Sequence, residues 1–140
     1  KRSMRRYCLK SSIGIENVRK PNKKETDALR ERIFAADGRK CSDPLCPCYR
    51  KQTGNRRLDP HHIKLRSLGG TDTLSNRITL CDIAHARAHD GYKRNGEWIS
   101  GRRYMIELLE SYQHSRRFRW NRVLDWLKTC EDRHRIGSKP

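Results

Sequence analysis

A chain of 140 residues is the size of one domain with a single modest core, so a second independent domain is not expected. Lys and Arg outnumber Asp and Glu by 33 to 16, and the resulting formal charge of +17 is the electrostatic footprint of a polyanion binder. No stretch is long and apolar enough for a membrane span, and no apolar run follows the first basic residues to make a signal peptide. The expectation is a soluble, intracellular protein without membrane contact. The chain opens on Lys1 instead of Met, so a larger parent protein or nucleoprotein complex is the expected context.

Residues 1–21 carry scattered Lys and Arg and close on Pro21, which reads as a basic N-terminal arm or linker. Asn22 followed by Glu25 has the form of a helix start, with Leu29, Ile33 and Ala36 on one face and Asp37-Gly38 as the stop. Cysteines and prolines between residues 39 and 50 suggest a knuckle, and a polar loop runs on to Arg57. Two short strands, Leu58 to Ile63 and Arg77 to Leu80, flank a loop containing Gly69-Gly70, and an Ala-rich helix from Asp82 ends at Gly91. Asn95-Gly96 predicts a small hairpin with Trp98-Ile99. Met105, Leu108, Leu109 and Tyr112, then Trp120, Val123, Leu124 and Leu127, have helical spacing and predict two core-facing C-terminal helices. The folded part is therefore expected over 22–131, with 132–140 a loose tail.

The chemistry concentrates in four of the six histidines, which fall within 29 residues. His85 and His89 lie four apart on the short helix, so both rings leave one face and can reach one cation. A zinc-protease helix would place Glu beside the first His, but Ala86, Arg87 and Ala88 intervene, and that reading fails. A proton acceptor must come from elsewhere. The neighbours His61 and His62 point to opposite sides of a strand, so the pair offers one further ligand and one base. A neutral imidazole can take a proton from water attacking a phosphodiester.

Residues 59–91 carry His61-His62-Ile63, Gly69-Gly70, the run Ser75-Asn76-Arg77-Ile78-Thr79-Leu80-Cys81, and His85-x-x-x-His89-x-Gly91; this pattern resembles the HNH endonuclease family. The resemblance extends over roughly residues 22–91 when the first helix and the knuckle are included. It implies an α+β fold: a ββα-metal finger with a cysteine zinc knuckle, a preceding helix and two C-terminal helices. It further implies a divalent-metal-dependent nuclease that nicks DNA or cuts both strands, leaving 5′-phosphate and 3′-hydroxyl ends. By position, His62 matches the general base, and His61 and His85 match metal ligands. Asn76 matches the asparagine that braces the loop and orients the base, and His89 matches the last ligand of colicin-type members. The catalytic ion would be Mg2+ or Mn2+, with Ni2+ and Zn2+ as further candidates, and the setting would be the cytoplasm of a prokaryotic or phage-like system.

The cysteines depart from the usual Cys-x-x-Cys arrangement, because Ala84 stands three residues after Cys81. Cys41, Cys46, Cys48 and Cys81 together would complete a four-cysteine structural Zn2+ site. Cys8 and Cys130 are expected to be unpaired thiols. Arg116, Arg117, Arg119 and Arg122, interleaved with Phe118 and Trp120, form a candidate DNA-binding edge. The competing reading is a catalytically inactive, zinc-stabilised DNA-binding module.

Overall fold

A computed structural model describes residues 19–46, 57–115 and 118–137, the last four by backbone alone. Among these residues the chain is mixed α and β, with four helices and two antiparallel two-stranded sheets. Helix α1, Lys23–Ala36, begins as its sequence requires: the Asn22 side chain accepts from the Glu25 N–H at 2.9 Å, and the Glu25 carboxylate accepts from the Asn22 N–H at 3.1 Å. Its far end is docked by Asp37. One Asp37 oxygen accepts the Thr79 N–H at 2.8 Å, and the other pairs with Arg119 at 2.9 Å.

Strand β1, Leu58–His62, pairs with β2, Arg77–Cys81, in a register that sets Leu58 opposite Cys81 and His62 opposite Arg77. Two short 3-10 turns, Arg66–Leu68 and Leu74–Asn76, lie on the connection. Helix α2, Asp82–Asp90, follows β2 with no intervening loop, and Cys81 caps it by accepting the Ala84 N–H on its sulfur at 3.4 Å. The hairpin β3, Tyr92–Arg94, and β4, Glu97–Ile99, turns at Asn95-Gly96, where both residues have the positive φ that such a tight turn demands. Helix α3, Gly101–Ser111, is capped by the Ser100 hydroxyl, and α4, Asn121–Gly137, completes the described chain.

The core lies where α3 and α4 meet the β1–β2 and α2 unit, around Ile78, Leu80, Ile99, Leu109 and Leu124. Each such side chain contributes roughly 1.5–3 kcal/mol through burial. Close approach of α2 and α3 depends on Gly101, because a Cβ there would stand 2.1 Å from the Ala88 carbonyl oxygen. Both stripes expected on the C-terminal helices are at least half buried, with Tyr104 and Cys130 joining the interior.

Two expectations need correction. Helix α4 runs to Gly137 through residues read as a loose tail, since Glu131 to Arg135 contain no helix breaker and Arg102 pairs with Glu131 at 3.8 Å. Cys130 is buried and disulfide-bonded, so it is not a solitary thiol.

Candidate metal centre and the adjacent histidine

The β1–β2 pairing and the α2 cap bring three imidazoles together. His61 points from β1 toward α2, where His85 and His89 leave the same helical face. Their ring centroids are 5.1, 5.0 and 4.5 Å apart, and one nitrogen from each ring lies within 4.8 Å of the others. Burial is graded across the trio: His61 is buried, His85 half-buried and His89 exposed. Burial, reinforced by the neighbouring imidazoles, pulls the His61 pKa down to about 3 and shifts His85 in the same direction. Both rings are therefore neutral at pH 7 and present lone pairs. Three imidazoles with one open side form a donor set suited to a divalent transition metal that keeps a position for water or substrate.

Asp59 shares the His61 face of β1 and acts electrostatically on His85. Arg30 and Arg57 hold its carboxylate, at 3.4 and 3.3 Å. These residues bring both signs of charge to the rim of the trio.

His62, the next residue, turns to the opposite face. Its Nε2 lies 2.5 Å from Asp72 Oδ1 and 2.9 Å from Arg77 Nη1. Burial lowers its pKa by more than the Asp72 hydrogen bond raises it, so this ring is also neutral at pH 7. Asn76 braces the loop between them. Its side-chain oxygen accepts the Lys64 N–H at 2.8 Å, and its amide donates to the Lys64 and Thr71 carbonyls at 3.0 and 2.9 Å. Gly70 is part of the same brace, because a Cβ there would stand 1.7 Å from the Lys64 carbonyl oxygen.

The second donor set is sulfur. Cys41, Cys46 and Cys81 are all buried, their sulfurs lie within 4.8 Å of one another, and Cys46 and Cys81 approach to 3.4 Å. Burial pushes the Cys41 thiol up to about 12, so its thiolate persists near neutral pH only if a cation compensates it. Zinc–sulfur bonds of about 2.3 Å in a tetrahedron separate sulfurs by roughly 3.8 Å, which fits this cluster. Cys48, the fourth expected ligand, lies outside the described residues, as do Cys8, Arg116 and Arg117.

Of the basic edge, Arg122 is exposed, but Arg119 is turned inward. It donates to the Leu74 and Arg77 carbonyls at 2.8 and 3.0 Å and stacks on Trp120, and so braces the loop.

Sequence reasoning missed Asp72, Arg77 and Asp43. The position of Asp72 between Gly69-Gly70 and Asn76 was the available signal for the first. Asp43 accepts from the Tyr104 hydroxyl at 2.6 Å and from the Leu45 N–H at 2.9 Å, and so ties the cysteine loop to α3. No family model, curated protein or solved structure matches this chain.

Proposed function

We propose that this protein is a divalent-metal-dependent DNA endonuclease of the HNH type, with β1, β2 and α2 as its ββα-metal finger. The observation that carries this reading is the division of labour between neighbours: His61 joins His85 and His89, whereas His62 stays outside the trio as a neutral, hydrogen-bonded imidazole. A module that only binds DNA has no need of a base beside a three-histidine donor set. The net charge of +17 supports a nucleic-acid substrate, with Arg122 available for phosphate contact.

In this reading His61, His85 and His89 hold the ion, which supplies electrostatic stabilisation to the phosphate and to the departing 3′-oxygen when bound. His62 takes a proton from the water that attacks phosphorus. The P–O3′ bond breaks and a solvent water protonates the departing 3′-oxygen, leaving a 5′-phosphate and a 3′-hydroxyl. Asn76 keeps the loop beside His62 fixed. Cys41, Cys46 and Cys81, with Cys48, hold a structural Zn2+ that anchors the start of α2.

Cleavage of supercoiled plasmid under a Mg2+ or Mn2+ titration tests the assignment. His62→Ala should lower the rate by roughly 10²–10⁴ while DNA affinity holds, and added metal should not restore it. His85→Ala should weaken metal binding and recover partly at high Mn2+. DNA binding without divalent-dependent cleavage in the wild type would favour the inactive zinc-stabilised module.

A further inference from the structure

We propose that Asp72 is the positioning residue for His62: its carboxylate holds the ring through Nε2–H and leaves Nδ1 as the atom that receives the proton. The catalytic part of this inference rests on the nuclease reading above. The tautomer follows from donor inventory. A carboxylate only accepts, so the 2.5 Å contact between Asp72 Oδ1 and His62 Nε2 is a hydrogen bond only if Nε2 carries hydrogen. A bare Nε2 would set two lone pairs against each other. Arg77 Nη1, 2.9 Å from both groups, also only donates, and its acceptor is therefore Asp72 Oδ1.

The surroundings make the carboxylate a fixed point. Arg66 donates to Asp72 Oδ2 at 2.5 Å, and Arg77 donates to Oδ1 at 2.9 Å. Arg77 is itself anchored by two bonds to the Pro60 carbonyl, at 3.2 and 2.8 Å. The chain Pro60–Arg77–Asp72–His62 thus links β1, β2 and the loop that Asn76 and Gly70 brace. Burial works against ionisation of Asp72, but its hydrogen bonds to His62 and Arg66 outweigh burial and keep the carboxyl below its usual range. An ionised, doubly held carboxylate defines both the angle and the tautomer of the ring it faces.

Two measurements on the full chain test this. In single-turnover plasmid cleavage, Asp72→Ala should lower the rate roughly 10- to 100-fold, the usual effect of losing such an orienting partner, with half-saturating DNA and Mn2+ unchanged. Asp72→Asn, which can still accept from Nε2–H, should retain more activity than Asp72→Ala. In a His62→Ala background, Asp72→Ala should cause no additional loss. Histidine ring ¹⁵N–¹H correlation spectra of the wild type should show His62 protonated at Nε2, with a downfield, slowly exchanging proton that Asp72→Ala abolishes. The inference is overturned if the wild-type ring is protonated at Nδ1 with Nε2 bare, if Asp72→Ala cleaves at the wild-type rate, or if its full defect persists in the His62→Ala background. A wild-type chain that never cleaves overturns the nuclease reading and the catalytic part of the inference, while the spectra still decide the Asp72–His62 bond.

Discussion

The two donor sets share one short helix yet differ in how they meet solvent. Cys81 caps the first turn of α2 and belongs to a uniformly buried sulfur trio, whereas His85 and His89 sit further along it in a trio that grades from buried to exposed. Buried thiols cannot ionise cheaply, so the sulfur cluster suits a permanently held cation that offsets their charge. The His61 and His85 imidazoles are held neutral without any ion and so tolerate its coming and going. In the proposed reading the contrast is between a centre that would hold the fold and one that would exchange ions and substrate.

The largest effect should come from the closed centre. Structural zinc in small domains carries apparent binding free energies of about 10–16 kcal/mol, comparable with or above the whole stability of a domain at about 5–15 kcal/mol. Cys81→Ser should therefore lose bound zinc and cooperative thermal unfolding together, as read by metal analysis and near-ultraviolet circular dichroism. A wild type with no zinc and an unchanged melting curve for Cys81→Ser would erase the contrast.

The open centre should respond in binding and not in folding. His89→Ala removes the exposed imidazole of the trio and should weaken Mn2+ in calorimetry while changing stability by no more than about 0.5 kcal/mol. His61→Ala should weaken Mn2+ further and also destabilise, because it empties a buried position. Equal effects of the two substitutions would mean that the gradient in burial has no functional weight.

A pH titration sharpens the same point. Burial holds folded His61 neutral down to about 3, whereas the unfolded ring protonates near 6.5, so the unfolded state binds the extra proton between those values. Stability that is complete above about 6.5 should fall as pH drops toward 3 once the divalent ion has been removed by dialysis. His61→Gln should flatten that part of the profile. A wild-type melting temperature constant from pH 7 to 4 would contradict the neutral, buried state of the ring.

Much of this was legible in the residues. The helix stop at Asp37-Gly38, the strand pair, the α2 histidine spacing and the two C-terminal stripes are local patterns, and local patterns survive in sequence. Contacts made through loops were not. Asp72 reaches His62 only because Gly70 permits the Lys64 carbonyl to approach and Asn76 ties the turn, and no periodicity encodes that. Arg119 read as a phosphate contact because its neighbours are basic, but the carbonyls of Leu74 and Arg77 and the Asp37 carboxylate together outbid solvent for its guanidinium. The helical run to Gly137 was hidden by polar composition, which says where a helix faces water and not where it ends.

The smallest effect on the two centres is expected at Thr79, on the strand that lies beside both. Thr79 lies between Arg77, which contacts His62, and Cys81, which belongs to the sulfur trio; its side chain is fully buried, and its hydroxyl has no hydrogen-bond partner among the described residues. Its backbone is fully engaged, because the N–H donates to Asp37 and the carbonyl accepts from the Ser42 N–H at 2.9 Å. A buried hydroxyl without a partner costs roughly 1–3 kcal/mol, and Val replaces it with a methyl group of similar shape. Thr79→Val should therefore stabilise by about 1 kcal/mol, raising the melting temperature by about 3 °C for a chain of this size. Zinc content and Mn2+ affinity should not change, since the backbone of β2, and not this side chain, holds the two centres in place. A lowered melting temperature would show that the hydroxyl is bonded after all, and an altered Mn2+ affinity would show that the centres communicate through the packing of β2.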